Sequence, residues 1–250
     1  MKILNTLKLK IDKKEKEIFF GLAETNQELE EMFRLRYQVY SARDYIDADL
    51  FPECLEKDVC DAENKCVYFI AKIDDKIIGT VRLIRDYYLP TEKECFDFKE
   101  PQDMAKISRT QRAEIGRLIV IPHKINGQYL PRHLGMLFLM DALLKYATQN
   151  NILGGYAFIK SKLEKKLVKI KIPFHIINPH TQIYPQNGVI YKYFNQKDDP
   201  VVPIYFINGE VQKRLDEILG NKLMFKKIGE DNFVLRENFY NRFLKLLKII

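Results

Sequence analysis

The first clear helical pattern along the chain begins at residues 25–28, whose Thr-Asn-Gln-Glu sequence has the form of a capping box. Apolar residues then recur at helical spacing, with one arginine among them: Leu29, Met32, Phe33, Arg36 and Tyr40. An arginine on an apolar helix face must either extend to solvent or meet carboxylates inside the protein. A loop rich in Asp and Glu follows, from about residue 43 to residue 64.

Two runs of β-forming residues, 66–73 and 77–84, flank the short polar segment 74–76 and predict a β-hairpin. Arg82 lies inside the second run, where two-residue alternation assigns it to one face of the sheet. Residues 86–112 carry prolines and many charges, so we expect little regular structure there.

Strand-like and helix-like runs alternate over the rest of the chain. In order, the patterns predict a strand at 113–122, a loop containing Asn126, Gly127 and Pro131, an apolar helix at 134–151, a strand at 154–160, a basic amphipathic helix at 162–172, strand-like runs from 173 to about 208, and helices at 209–220 and 237–250. This order predicts an α/β fold, a three-layer α/β/α sandwich with a mixed central sheet. We expect one domain over residues 1–250, with a core of about 17–208 and a helical extension at 209–250.

Several charged residues occupy positions that soluble domains usually give to apolar side chains. The set has three arginines and three carboxylates: Arg36, Arg82, Arg117, Asp58, Asp61 and Glu114. A buried charge must be paired, because an isolated one costs several kcal/mol or is neutralised. The matching numbers predict one shared polar cluster, although separate surface pairs or a salt-bridge network without chemistry would show the same pattern.

Composition limits the functional classes without choosing among them. With 46% hydrophobic residues the chain can build a core, and it has no apolar run of membrane-spanning length. Residues 1–17 mix charged and apolar side chains too closely for a signal peptide, so we expect a cytoplasmic protein. The four cysteines and the histidines lack metal-site spacing, which predicts reduced structural thiols and no bound metal.

The formal net charge of +7 favours acidic partners such as an acyl carrier protein, phosphate groups or anionic lipid, although an ordinary lysine-rich surface gives the same charge. No helix-turn-helix or RNA-binding signature accompanies it, so we expect no nucleic-acid partner. Six lysines could dock an acidic carrier protein or form a solvated helix face: Lys160, Lys162, Lys165, Lys166, Lys169 and Lys171. The last predicted helix could contact a membrane surface or pack on the domain. The sequence leaves the oligomeric state open.

Four segments, in this order, resemble the GNAT-fold N-acyl amino acid synthases and the related acyl-homoserine-lactone autoinducer synthases: MFRLRYQVY, LEKDVCD, GTVRLI and AEIGRLIV. The shared pattern, between about residues 29 and 121, is an arginine with an aromatic residue four positions later, an E-x-D-x-x-D run, an arginine in the second hairpin strand and an E-x-x-R pair. In this chain the matching residues are Arg36 and Tyr40, Glu56, Asp58 and Asp61, Arg82, and Glu114 and Arg117.

The resemblance implies an N-acyltransferase that moves a fatty acyl group from acyl carrier protein, or from acyl-CoA, to the amine of an amino acid or a similar small molecule. It implies catalytic roles for Glu114 as general base and for Arg117, which would hold it. Since residues three apart face opposite sides of a regular strand, a β-bulge is needed for both to serve one site. Substrate binding is expected from five residues: Arg36, Tyr40, Asp58, Asp61 and Arg82.

No permanently bound cofactor is expected, because the acyl-carrier-protein or acyl-CoA thioester is a co-substrate. Arg132 and His133 precede the predicted helix at 134 and could bind donor phosphate at its N-terminus, or form a surface pair in the loop. The Q/R-x-x-G-x-G/A pyrophosphate loop that is usual in GNAT proteins is missing, which favours a carrier-protein donor.

The chain also departs from the lactone synthases, which place a tryptophan shortly after the aromatic residue of the first helix. Ile46 lies near that position, and the chain contains no tryptophan. The motif RYQVY is closer to the N-acyl amino acid synthases. Two alternatives stay open: a lactone synthase that uses S-adenosylmethionine, and a non-catalytic protein that binds acyl chains or lipid.

Overall fold

A computed structural model describes residues 1–11, 14–125, 128–229 and 231–236. In chain order the strands are β1 (Lys2–Ile11), β2 (Lys14–Leu22), β3 (Cys66–Ile73), β4 (Lys76–Ile84), β5 (Phe96–Phe98), β6 (Arg112–Val120), β7 (Lys124–Ile125), β8 (Gln128–Tyr129), β9 (Gly154–Lys160), β10 (His175–Ile176), β11 (His180–Gln182), β12 (Val201–Ile207), β13 (Phe225–Lys227) and β14 (Asn232–Leu235). The α-helices are α1 (Asn26–Ala42), α2 (Val59–Ala62), α3 (Gln102–Ala105), α4 (Arg132–Gln149), α5 (Ser161–Lys169), α6 (Tyr191–Phe194) and α7 (Asn208–Leu219).

Ten strands form the central sheet in the order β10-β12-β9-β6-β4-β3-β2-β1-β14-β13. The pairs β6–β9 and β1–β14 are parallel and the others are antiparallel, so the sheet is mixed as predicted. Helix α1 packs on one face of the sheet against β4 and β6, and α4 packs on the other face against β1–β4 and β6. The predicted three-layer α/β/α sandwich is confirmed.

Helix α1 begins where the capping box predicts. The Thr25 side chain accepts a hydrogen bond from the Glu28 backbone N–H, and the Glu28 carboxylate accepts one from the Thr25 N–H. The face that packs on the sheet buries Met32, Phe33 and Arg36. The arginine therefore lies inside the protein and does not extend to solvent.

The sheet is longer than the predicted core of about 17–208. The hairpin β1–β2 adds strands before that core, and β13 and β14 pair at the sheet's edge within the segment expected to be a helical extension. The tightly mixed charged and apolar residues of the N-terminal segment are the two-residue alternation of these strands. The predicted helix at 237–250 lies outside the described residues, as do Asn126 and Gly127.

Residues 86–112 contain more regular structure than predicted. Short helical turns at Thr91–Cys95, Gln102–Ala105 and Arg109–Gln111 surround β5, which pairs with β11 in a small separate sheet. Each element is three to five residues long, too short to give a periodic signal in the sequence. Within the described ranges, no helix combines the length and apolar character needed to cross a membrane.

The strands β6 and β9 start side by side and then separate. They pair only at Arg112–Glu114 with Gly154–Tyr156, although both strands continue beyond these residues. Where they pair, the backbones are so close that a Cβ on Gly155 would lie 1.7 Å from the carbonyl oxygen of Ala113. Glycine at 155 permits this contact, and the separation that follows leaves a gap in the middle of the sheet.

Candidate active site

Six charged side chains form a closed ring between α1 and the sheet, which we call the ionic ring. Its arginines come from α1, β4 and β6, and its carboxylates come from the acidic loop and α2. Around the ring, charges alternate in sign in the order Arg36, Glu56, Arg117, Asp58, Arg82 and Asp61. The predicted shared polar cluster therefore exists, with Glu56 in the place expected for Glu114.

Every carboxylate of the ionic ring bridges two guanidinium groups. Arg117 Nη2 lies 2.8 Å from Glu56 Oε1 and 2.9 Å from Asp58 Oδ2, and Arg82 Nη1 lies 2.7 Å from Asp58 Oδ1. Asp61 closes the ring, with its oxygens 2.9 Å from Arg82 Nη1 and 2.9 Å from Arg36 Nη2. The ring is thus neutral and its charges are paired internally.

A short capping motif holds two of these carboxylates in place. Asp58 is the N-cap of α2, where its side chain accepts hydrogen bonds from the backbone N–H groups of Cys60 and Asp61. The Asp61 carboxylate in return accepts the Asp58 backbone N–H at 2.9 Å and the Tyr68 hydroxyl at 2.9 Å. The carboxylates of the E-x-D-x-x-D run therefore both cap the start of α2 and form ion pairs in the ionic ring.

Burial and charge act in opposite directions on the ring's carboxyl groups. Burial alone would raise the pKa of Glu56, but the charges of Arg117 and Arg36 lower it below its ordinary value. The same balance, with Arg36 and Arg82 as the cations, lowers the pKa of Asp61. The carboxylates are therefore ionised at neutral pH, as the charge-paired geometry requires.

Arg117 reaches the ionic ring through a β-bulge, as the three-residue spacing of Glu114 and Arg117 predicts. Thr80 is opposite Ile119 and Arg82 is opposite Gly116, so β6 carries one more residue than β4 between these pairs. Arg117 takes up the extra length with a φ of 57°. The bulge turns the Arg117 side chain to the face of the sheet that carries Arg82 and α1.

Glu114 lies on that same face but outside the ionic ring. Glu114 is 1% exposed, and its carboxylate accepts the backbone N–H of Thr91 at 2.7 Å. Burial raises the pKa of Glu114 to about 7, a shift that the Thr91 contacts and the charge of Arg82 only partly oppose. The expectation that Arg117 holds Glu114 is wrong, because the Arg117 guanidinium is bound by Glu56 and Asp58.

A cavity of about 890 Å³ occupies the gap between β6 and β9 and reaches both faces of the sheet. On the α1 face its walls are aromatic and cationic: Tyr40, Tyr45, Arg117, Lys160 and Tyr193. On the α4 face its walls are apolar: Met140, Leu144, Ala157, Leu167 and Phe206. Of the ionic ring, Arg117 lines the cavity, with its guanidinium carbon 5.5 Å from the centre of the Tyr40 ring.

The two residues expected to bind the donor phosphate stand at the first turn of α4. Arg132 lines the cavity. His133 is partly buried, and burial, with the charges of Lys166 and Arg132, lowers its pKa below the ordinary 6.5. Its ring is therefore neutral at pH 7 and would act on a phosphate as a hydrogen-bond donor.

Lys160, at the end of β9, is a site residue whose role the sequence did not show. It is 5% exposed, and its ammonium group donates to the backbone carbonyl oxygen of Tyr193. Burial lowers the pKa of Lys160 to about 8, opposed by the charges of Asp199 and Asp198. The sequence signal was weak, because Lys160 is the first of six lysines and the others, on or beside α5, are largely exposed.

A protein-family model matches the part of the chain that carries this site. Residues 31–154 match the family FeeM, described as N-acyl amino acid synthase, and this range includes the whole ionic ring together with Tyr40 and Glu114. The family resemblance expected from the sequence motifs is confirmed. The chain is a GNAT-fold N-acyltransferase. No curated protein sequence matches it significantly.

Solved structures of lactone synthases share the fold of this N-acyltransferase. The AHL synthase LasI superposes with a TM-score of 0.55 at 17% identity, covering 79% of this chain and 93% of LasI. The CoA-dependent acyl-homoserine lactone synthase MesI gives a TM-score of 0.55 at 18% identity, covering 85% of this chain and 98% of MesI. BjaI, solved with SAM and isopentyl-CoA, gives a TM-score of 0.51 at 17% identity, covering 86% of this chain and 90% of BjaI.

The position where lactone synthases carry a tryptophan is closed off from the cavity in this acyltransferase. Ile46 is 2% exposed and belongs to an apolar cluster with Tyr40 and Phe96, and it is not among the cavity-lining residues. An aliphatic side chain therefore fills the core here, and the cavity wall on this side is formed by Tyr40 and Tyr45.

Gly116, which lies between Glu114 and Arg117 in the sequence of β6, leaves open space in the cavity of this acyltransferase. A Cβ at this position would meet no atom within 4 Å, and Gly116 lines the cavity. We expect Gly116→Val to fold normally, since β-branched residues suit strands, and to lower kcat/KM roughly tenfold by filling this space. Thermal unfolding and steady-state kinetics would check both expectations.

Gly209→Val is the matched control for this variant. A Cβ at Gly209 also meets no atom within 4 Å, but Gly209, in the first turn of α7, is not among the residues that line the cavity. The control should keep full activity. Unchanged activity in Gly116→Val would show that the space above Gly116 is not part of the active site.

Proposed function

We propose that this N-acyltransferase moves a fatty acyl group from the thioester of an acyl carrier protein, or of CoA, to the amine of an amino acid or a similar small molecule. The observation that carries the proposal is the two-sided cavity. Its apolar half, beside α4, suits a hydrocarbon chain, and its aromatic and cationic half, beside the ionic ring, suits a small polar acceptor.

The separated strands offer a binding mode for the donor's pantetheine arm. Beyond Glu114 and Tyr156 the facing edges of β6 and β9 are not paired with each other, so their backbone groups can pair with an extended ligand. Backbone N–H groups in this gap would also polarise the thioester carbonyl. Arg132 and His133, at the start of α4, would bind the donor's phosphate at the outer end of the arm.

An acidic carrier protein is the partner that the surface charge favours. Lys162 and Lys166 on α5 line the cavity, and Lys166 is exposed. A carrier protein docked against α5 would therefore deliver its acyl thioester next to the gap between β6 and β9.

Transfer requires a neutral amine, and we assign Glu114 as the base that removes the ammonium proton. The neutral amine nitrogen then attacks the thioester carbonyl carbon and forms the C–N bond. As the C–S bond breaks, the nitrogen loses its second proton to the departing sulfur, which leaves as a thiol. Glu114 is buried on the same face as Gly116, its second neighbour along β6, so a water above Gly116 can relay the proton. A carboxyl group with a pKa of about 7 can accept and release this proton near neutral pH.

Direct attack on the thioester is consistent with the state of three of the four cysteines. Burial raises the pKa of Cys60 to about 11 and that of Cys66 to about 12. The pKa of Cys95 is also raised by burial. These thiols stay protonated at neutral pH and are poor nucleophiles.

The apolar half of the cavity should set the length of the acyl chain. Leu144 of α4 lines it and is 2% exposed. We expect Leu144→Trp to lower kcat/KM for a hexadecanoyl donor about tenfold and to leave an octanoyl donor largely unaffected, because the larger ring shortens the cavity. Competition between the two donors, with product masses as readout, measures this ratio. Equal losses for both donors would place the acyl chain elsewhere.

The overall proposal is tested by lipid mass spectrometry of a host expressing the wild type or Glu114→Gln. A new amide lipid present only with the wild type would name the acceptor and the chain length together. Purified enzyme is then incubated with acyl carrier protein or acyl-CoA donors and with free amino acids or S-adenosylmethionine. A lactone product formed only with S-adenosylmethionine would replace the amino-acid acceptor, and co-purified lipid without any turnover would overturn the proposal.

A further inference from the structure

Lys160 places a buried ammonium group in the wall of the cavity without a charged partner. Its Nζ lies 4.3 Å from the centre of the Tyr193 ring and 5.3 Å from that of Tyr45, and its hydrogen bond goes to the neutral carbonyl of Tyr193. Within the described part of the chain, no carboxylate forms an ion pair with this ammonium group. Aromatic faces and a carbonyl compensate a buried cation only in part.

The two nearby carboxylates are engaged elsewhere. Asp199 is buried and accepts hydrogen bonds from the Ser161 hydroxyl at 3.0 Å and the Lys162 backbone N–H at 2.9 Å, at the start of α5. Asp198 is exposed and pairs with the Lys162 ammonium at 3.2 Å. Lys160 is therefore a preformed cation facing a cavity and lacking an anion.

The position of Lys160 separates it from the donor phosphate. Its side chain lies with Tyr45 and Tyr193 on the α1 face, the face that also carries Arg117 and Glu114. Arg132, expected to bind the phosphate, starts α4 on the opposite face. An anion beside Lys160 would therefore belong to the acceptor, whose amine must reach the same side of the gap as Glu114.

We propose that Lys160 binds the carboxylate of the acceptor and so restricts the enzyme to amines that carry a free carboxylate. This inference rests on the proposed N-acyltransferase function. The ammonium group would form a charge-assisted hydrogen bond with the carboxylate, while Tyr45 and Tyr193 enclose the acceptor's backbone. A simple alkylamine would leave the lysine unpaired and bind less tightly.

The test uses matched acceptors that differ only in the carboxylate: L-phenylalanine against 2-phenylethylamine, and L-leucine against 3-methylbutylamine. The wild type should prefer each amino acid. In Lys160→Met the kcat/KM for the amino acid should fall about 30-fold or more, while that for the plain amine stays within about threefold. Methionine keeps the length of the side chain in an apolar form, so the variant should fold, which its thermal unfolding would verify.

Two further variants make the result specific. Lys160→Arg keeps the positive charge and should restore part of the preference for the amino acid. Lys165→Met removes an exposed lysine of α5 that does not line the cavity, and its ratio of amino acid to amine turnover should match the wild type. This ratio does not depend on how the donor docks, because both acceptors use the same donor.

Each outcome separates the two proposals. If the wild type acylates neither amino acids nor amines, the proposed function fails. If the wild type acylates amines as well as amino acids, or if Lys160→Met loses both acceptors equally, the acyltransferase function stands and the role given to Lys160 is overturned.

Discussion

Glu114→Gln is expected to fold normally and to lose acyl transfer by at least about a hundredfold. The amide has nearly the same shape, and its oxygen can still accept the Thr91 backbone N–H. It cannot take a proton from the acceptor's ammonium group. Single-turnover measurements with a preloaded donor would separate this chemical defect from weaker binding, because kcat should fall while donor affinity stays unchanged.

The pH dependence of the wild type supplies an independent check on this assignment. Since burial raises the pKa of Glu114 to about 7, activity should fall as pH drops through 7 and the carboxylate becomes protonated. Glu114→Gln should lack this acidic limb. Glu63→Gln, which alters an exposed carboxylate paired with Lys65, should keep the wild-type profile. An unchanged rate or an unchanged acidic limb in Glu114→Gln would remove the base assignment.

As pH rises toward 7, the stability of the folded wild type should fall while its activity rises. The folded chain holds a proton on Glu114 up to about pH 7, whereas the unfolded chain loses it near the ordinary pKa of 4.5. Between these values the folded state binds more protons, so the free energy of unfolding falls as pH rises. At pH 8 the glutamine variant is therefore expected to be more stable, by on the order of 3 kcal/mol.

The sequence predicted five of the six members of the ionic ring, because a buried charge must be paired. Arg36 on an apolar helix face and Arg82 and Arg117 inside β runs each demanded a carboxylate. The acidic loop supplied two of the three predicted carboxylates, and the third, expected to be Glu114, is Glu56 of that same loop. Residue types in a pattern of alternation and helical spacing were enough to bring α1, β4 and β6 together around that loop.

The exact pairing could not be predicted, because it depends on a backbone irregularity. The two-residue alternation of side chains along a regular strand does not show at which position β6 accommodates its extra residue. The bulge at Arg117 sends its guanidinium to Glu56 and leaves Glu114 to the Thr91 backbone N–H. Lys160 also could not be distinguished from the neighbouring lysines by sequence, because its place in the site depends on the gap between β6 and β9.

Glu56→Gln is expected to destabilise the fold by about 3–5 kcal/mol, the range for breaking a buried ion pair by removing one partner. Glu56 is 0% exposed and is shared by Arg36 and Arg117, so its loss leaves two buried guanidiniums short of one negative charge. A domain of this size has a total stability of roughly 5–15 kcal/mol, so the variant should unfold far more readily. Urea unfolding at pH 7 measures the difference.

Glu53→Gln is the matched control, because Glu53 is an exposed carboxylate in the same loop, and its effect should stay within about 0.5 kcal/mol. The double variant Arg36→Met with Glu56→Gln restores the balance of two arginines and two carboxylates. If the ionic ring acts as one neutral unit, the double variant should be more stable than the sum of the single changes predicts, by about 0.5–3 kcal/mol. Simple additivity would mean that Arg36 and Glu56 stabilise the fold independently. The charge balance of the ionic ring would then have no energetic consequence of its own.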